Sequence, residues 1–319
     1  MLCSFVSKIL VRKFIMKSSI NFDFFYQKLL SDKTKRKSEQ VILIIAIASF
    51  IIHLVLIYLV DFGFITLDSH AGLLKNPIAA IYTPFSFILV YEVYLLIYYL
   101  PKSITTYIGK QYEIISLIII RRLFKDLSNL TLSTDWFEIK YDLQFTYDLV
   151  ASVLLFFLIY QFYVQSKKKY VVVYKDESES LKKFIKIKKI LAALLVPVLI
   201  FVAIYSFIIW CLGAIDPAGN ENVSFNNINS IFFEQFFNIL IIADVLLLLF
   251  SFFHTDEFHK VIRNSGFIIS TILIRISFSV SGLMNTLLIV SATVFGLLIL
   301  MIHNKFEAQI ALEKKEIIN

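Results

Sequence analysis

The sequence predicts an all-α polytopic integral membrane protein with eight transmembrane helices, arranged as two parallel four-helix repeats. Three observations predict this fold. The chain of 319 residues is 58% hydrophobic and only 17% charged, its apolar residues form long blocks, and its basic residues lie between those blocks. A soluble domain has about 45–50% apolar and about 25% charged residues, so a soluble globular fold is excluded.

Apolar blocks of about 18 residues or more predict membrane-spanning helices. Five such blocks cover residues 41–60, 78–100, 144–164, 190–213 and 232–253. The last apolar region, 265–302, is long enough for two crossings at about 1.5 Å per residue, with a break at the small and turn-prone residues 281–285. These blocks predict seven spans and leave residues 112–130 undecided.

An internal repeat decides the remaining segment. Residues 92–100 (EVYLLIYYL) align with 244–252 (DVLLLLFSF), and 113–121 (EIISLIIIR) align with 267–275 (FIISTILIR). The two offsets differ by two residues, so one small gap reconciles them. By analogy with 265–281, residues 112–130 are also a span, and the chain reads as a duplicated four-helix unit.

The positive charges predict the orientation of the spans, because lysine and arginine accumulate in cytoplasmic segments. Both 1–40 and the 165–190 region are strongly basic, whereas the predicted outer segments are acidic. We therefore expect both termini and the linker in the cytoplasm. The chain is therefore predicted to begin with a basic N-terminal segment (1–40) and the first membrane repeat (41–164). A basic linker (165–189) leads to the second membrane repeat (190–303), and a cytoplasmic tail (304–319) follows.

Each repeat carries one acid and one arginine at matching depth on consecutive helices. Glu92 lies eight residues before Leu100, and Arg121 lies eight residues after Glu113, which places both roughly 12 Å into the membrane. Asp244 and Arg275 occupy the matching positions in the second repeat. Because a lone charge in hydrocarbon costs about 2.5–3.5 kcal/mol on insertion scales, we predict two intramembrane ion pairs, Glu92 with Arg121 and Asp244 with Arg275.

The role of these pairs is open at this point. Buried polar pairs in helix bundles can simply fix packing and register, or they can line an ion or proton pathway or act as a conformational switch. Arg122 has no counterpart in the second repeat, where Ile276 follows Arg275. We expect it to reach toward the outer interface with Lys125.

Each repeat resembles the phosphate-starvation-inducible E (PsiE) family of small bacterial four-helix membrane proteins. The resemblance rests on the acid of the second helix, Glu92 or Asp244, and on a third helix ending in arginine. Thr271 and Arg275 keep the family's threonine-to-arginine spacing, whereas Leu117 stands at the threonine position of the first repeat. The resemblance implies a bacterial inner membrane protein with no established biochemical activity, and the duplication departs from the family's single unit.

No nucleophile motif, glycine-rich phosphate loop or paired catalytic acids occur in the sequence. We therefore expect no enzyme, no cofactor and no metal site, and interpret the histidines of HTDEFH (254–259) as part of a solvated turn. The expected partners are the lipid bilayer, with anionic lipids at the cytoplasmic face, and a second copy of the chain or another membrane protein. Nucleic acid is not an expected partner.

Two function classes follow from the sequence. The first is an ion or small-solute channel or transporter, supported by intramembrane charges in two pseudo-symmetric copies. The second is a non-catalytic membrane sensor, regulator or assembly subunit, linked to phosphate stress through the PsiE resemblance. The residues alone do not separate the two classes.

Overall fold

The computed structural model describes residues 22–64, 80–127, 140–168, 179–215, 225–253, 257–280 and 282–318. Within these ranges the regular secondary structure is helical. The helices are α1 (Phe22–Leu29), α2 (Asp32–Asp61), α3 (Tyr82–Tyr99), α4 (Ile104–Leu127), α5 (Lys140–Ser166), α6 (Glu179–Ile215), α7 (Phe225–Phe252), α8 (Phe258–Ser277) and α9 (Leu283–Ile318).

Two helix boundaries follow from local sequence. The hydroxyl of Ser31 caps α2 by accepting a hydrogen bond from the backbone N–H of Thr34 at 3.2 Å, as small polar residues do at helix starts. The break between α8 and α9 falls within the predicted interval 281–285, where Gly282 has a φ of +73°. Glycine adopts that backbone conformation without the steric cost that a side chain would add.

Helices that follow one another in the chain lie side by side. α2 contacts α3, α3 contacts α4 and α4 contacts α5, and the same order recurs from α6 to α9. Between the two sets, α4 contacts α8, α5 contacts α9 and α3 contacts α6. The short helix α1 rests on α6.

The bundle is apolar on the outside and partly polar on the inside. Large apolar side chains such as Ile44 on α2 and Phe201 on α6 are more than half exposed, whereas Asp148 and Asp244 are almost completely buried. Water would penalise such an exposed apolar surface, but lipid tails do not. This distribution agrees with a protein whose helices lie in a membrane.

Five helices in the described ranges are long and apolar enough to cross a membrane. Their spanning regions lie in α2, α5, α6, α7 and α9. α3 contributes a shorter apolar stretch, Thr83–Tyr99, and α4 and α8 carry more charge. Within the described residues the prediction of an all-helical fold with several apolar helices of membrane-spanning length is confirmed, while the count of eight spans and the repeat remain predictions.

Candidate functional site

Asp244 of α7 is the most deeply buried acid near the centre of the second set of helices, with 2% of its surface exposed. Two side chains of α4 hold it. The Tyr107 hydroxyl donates to one carboxylate oxygen at 2.8 Å, and the Gln111 amide donates to the other at 3.1 Å. Because Tyr107 and Gln111 are four residues apart, they lie on one face of α4 and tie the two sets of helices together.

Two cavities meet at Asp244. The larger one, about 410 Å³, opens where α3 joins α4 and has Asp244 and Tyr107 in its wall; we call it the vestibule. The smaller one, about 20 Å³, is lined by Asp244, Gln111, Thr271 and Arg275, and has room for about one water molecule. Asp244 and its two donors therefore lie between a roomy cavity and a small one whose walls are mostly apolar.

Three cationic side chains line the vestibule. Lys102, Lys188 and Arg263 lie in its wall together with Ser251 and Asn264. Lys188 is only 7% exposed and donates to the backbone carbonyl of Lys102 at 2.8 Å. The wall of the vestibule therefore carries three cationic side chains and one carboxyl group, that of Asp244.

Helix α4 is held in position by a close approach to α8 and α9. The Tyr112 hydroxyl lies 2.8 Å from the hydroxyl of Ser270, which in turn donates to the Ala292 carbonyl at 2.7 Å. A Cβ added at Gly296 would lie 1.8 Å from the Tyr112 hydroxyl oxygen, so only glycine fits there. This contact sets the position of the helix that carries Tyr107 and Gln111.

The predicted pair of the second repeat lies around a single cavity. Asp244 and Arg275 both line the smaller cavity. The hydrogen bonds described above to Asp244 come from Tyr107 and Gln111, and the Arg275 Nε donates to Asn238 at 3.1 Å. The ion pair between Asp244 and Arg275 stays a prediction.

The predicted pair of the first repeat has a different setting. Glu92 is partly buried on α3, and the charges that act on it are first Glu113 and then Lys110, Glu39 and Lys35. Its position therefore differs from that of Asp244, which is enclosed by neutral donors. The pairing of Glu92 with Arg121 also stays a prediction.

Arg122 has partners that the sequence did not predict. Its guanidinium contacts Asp148 of α5, with Nη2 donating to Oδ1 at 2.7 Å and Nε beside Oδ2. Nη1 donates to Asn285 at 2.8 Å, and the Thr286 hydroxyl donates to Asp148 at 2.8 Å. The carboxylate of Asp148 is fully buried, so a cationic partner offsets the cost of its burial. The expectation that Arg122 reaches toward the outer interface stays a prediction.

The sequence contained signals for some of these residues. Asp148 is an acid inside the predicted span 144–164, the same kind of signal that identified Glu92. Tyr107 and Gln111 lie before the predicted span 112–130, and only their four-residue spacing marked a common helix face. Which face of α4 meets α7 depends on helix packing, which the sequence pattern does not contain.

No family model, curated protein or solved structure matches the chain.

Proposed function

We propose that the protein is an eight-span membrane transporter that moves an ion or small solute past Asp244. The observation that carries the proposal is the position of this carboxyl, which lies in the walls of both cavities. Ionisable residues inside a membrane are costly and commonly mark substrate or proton pathways. In this proposal the hydrogen bonds from Tyr107 and Gln111 to Asp244 must open for a solute to pass between the two cavities.

The charges around the vestibule favour an anionic solute. Lys102, Lys188 and Arg263 in the wall of the vestibule repel metal cations and attract anions. The carboxyl of Asp244 is a group that takes up and releases a proton. We therefore favour a carrier that moves a small anion together with a proton over a pore for metal cations.

The eight-span topology is part of the proposal. Each predicted span overlaps one of the helices α2 to α9, and the basic segments place both termini in the cytoplasm. The vestibule then opens to the cytoplasm. Three polar residues of α4 and α7, Tyr107, Gln111 and Asp244, are buried in the bundle, as expected of spans that carry polar and charged groups.

The two four-helix repeats are related in this proposal by a pseudo-two-fold axis normal to the membrane. Helices in equivalent positions contact each other, α4 with α8 and α5 with α9, as expected of elements next to such an axis. An experimental structure in which the halves superpose only after inversion across the membrane plane would contradict this relation.

We also propose that the chain is a PsiE-like protein of a bacterial inner membrane. The support is the acid of the second helix in each repeat and the Thr271-to-Arg275 spacing. Anionic lipids at the cytoplasmic face are the proposed partners of the basic N-terminal segment and linker. A homo-oligomer or a complex with another membrane protein is compatible with the exposed apolar surface.

Flux through liposomes tests the transport proposal. The purified chain is reconstituted with an internal pH indicator, and uptake of chloride, sulfate and phosphate is followed after a pH jump. We expect uptake of at least one anion with co-movement of protons, and loss of both fluxes in Asp244→Asn. Glu313→Gln, at an exposed position of α9, is the control and should match the parent protein.

A non-catalytic regulator or assembly subunit is the alternative function. Its support is the Arg122 cluster, in which Asp148 of the first repeat is bound by Thr286 of the second. Such a contact can serve only to hold the two halves together. Absence of flux above empty liposomes, with a folded parent protein, would favour this alternative. Its link to phosphate stress comes from the PsiE resemblance.

A further inference from the structure

Two histidines and a glutamate converge where the start of α8 lies beside the second half of α9. His259 belongs to the first turn of α8, and His303 and Glu307 are one turn apart on α9. The His259 Nε2 lies 3.0 Å from a Glu307 oxygen, and the His303 Nε2 lies 3.9 Å from the same oxygen. The candidate ligand atoms of all three residues lie within 4.8 Å of one another.

From these residues we infer a binding site for a divalent transition metal of the zinc class. Zinc binds imidazole nitrogen and carboxylate oxygen at about 2.0–2.2 Å, which separates neighbouring ligand atoms of a tetrahedral site by roughly 3.3 Å. The two observed separations, 3.0 and 3.9 Å, bracket that value. The third separation, between the ligand nitrogens of the two histidines, is at most 4.8 Å, so the histidine side chains move closer together when an ion binds.

The ligand types select among metals. Two imidazoles and one carboxylate suit zinc, cobalt or nickel, whereas calcium and magnesium require oxygen ligands. Three protein ligands leave a fourth position for water or another group. The Glu257 carboxylate, which is 3.4 Å from the His259 Nε2 and exposed, is within reach of that position.

The neighbourhood keeps His303 in the form that binds a metal. The Arg263 Nη1 lies 3.0 Å from the His303 Nε2. Because a guanidinium only donates, Nε2 accepts this hydrogen bond and carries a lone pair, while the proton is on Nδ1. A neutral imidazole with a free lone pair on Nε2 is a metal ligand.

The two histidine side chains are buried and pack against each other. The rings of His259 and His303 stack with their centroids 5.2 Å apart. This packing preorganises two ligands, and pre-organisation lowers the cost of binding an ion.

A metal has to replace the Nη1 of Arg263 at the His303 Nε2. Arg263 keeps two other hydrogen bonds as it moves, because its Nε and Nη2 donate to Asn264 at 3.2 and 3.0 Å. Removal of this competitor should therefore strengthen metal binding. If the cluster is only a structural hydrogen-bond network, Arg263→Ala should lower thermal stability and should not strengthen metal binding.

Cobalt is the probe for the test. The full-length, tag-free protein in detergent is stripped with a chelator and titrated with Co²⁺, and the visible absorption of bound cobalt is recorded. We expect saturable binding that Zn²⁺ reverses, and a thermal midpoint that rises with Zn²⁺. His303→Gln and Glu307→Gln should each weaken binding by about 10–100-fold or more, and Arg263→Ala should tighten it.

Two matched controls complete the test. His53→Gln on α2 and Glu313→Gln on α9 remove the same chemical groups elsewhere and should leave cobalt affinity unchanged. No saturable cobalt absorption in the parent protein overturns the inference. So does equal affinity in Glu307→Gln, or weaker binding in Arg263→Ala. The change in thermal midpoint on adding Zn²⁺ to each variant separates metal binding from a general loss of stability.

Discussion

Arg122 of α4 and Asp148 of α5 form an ion pair, and Asn285 and Thr286 of α9 each hydrogen-bond to one of its partners. The carboxylate is fully buried, whereas the arginine is 29% exposed. Three helices are therefore joined at a single polar cluster. The same cluster connects the two predicted repeats.

Loss of one partner of this pair should destabilise the protein strongly. Arg122→Leu leaves the Asp148 carboxylate buried without its cation, and breaking a buried pair costs about 3–5 kcal/mol. The double variant Arg122→Leu with Asp148→Leu removes both charges and should recover much of that loss. The thermal midpoint in detergent is the measurement.

The exposed pair of Lys260 with Glu257, at 2.9 Å, is the matched control. Lys260→Gln should cost only about 0–1 kcal/mol, because water and salt screen such pairs. If Arg122→Leu unfolds at the same temperature as Lys260→Gln, the Arg122 cluster does not stabilise the bundle.

The predicted pair of Asp244 with Arg275 has its own double-mutant test. Arg275→Leu alone should lower thermal stability by about 3–5 kcal/mol if it strands the carboxylate, and Asp244→Leu with Arg275→Leu should restore much of the loss. A stable but transport-inactive double variant would assign the pair a functional role. Parent-like stability of Arg275→Leu would rule out the pairing.

Gly296→Ala should destabilise the contact between α4 and α9. The added methyl would overlap the Tyr112 hydroxyl, and overpacking a core costs about 1–3 kcal/mol. Tyr112→Phe removes that oxygen at the loss of one hydrogen bond, worth about 1 kcal/mol. The double variant should therefore unfold at a higher temperature than Gly296→Ala alone, and a lower midpoint would show that the strain has another origin.

The topology can be tested with a single cysteine at position 219, which lies outside the described residues. With Cys3 and Cys211 replaced by serine, a membrane-impermeant reagent added outside intact cells should label Gly219→Cys. The reason is the excess of lysine in 1–40 and 165–189, which places 214–231 on the outer face. Labelling only after the cytoplasmic side is opened would contradict the eight-span arrangement.

The sequence alone determined the class of this protein and the positions of its helices. Blocks of apolar residues the length of a bilayer demand helices, because backbone groups in lipid must be hydrogen-bonded within the chain. The break at 281–285 was also predictable from its small, turn-prone residues. In the structure Gly282 takes a positive φ that other residues avoid. These features depend on residues that are close together in the chain.

The tertiary structure decided which polar groups meet. Asp244 receives hydrogen bonds from residues more than 130 positions away, and Arg122 meets Asp148, Asn285 and Thr286 because α5 and α9 present partners there. His259, His303 and Glu307 converge because the start of α8 lies beside the second half of α9. Helix periodicity defines the faces of each helix, but the rotation of one helix against another is set by the packing of all their side chains.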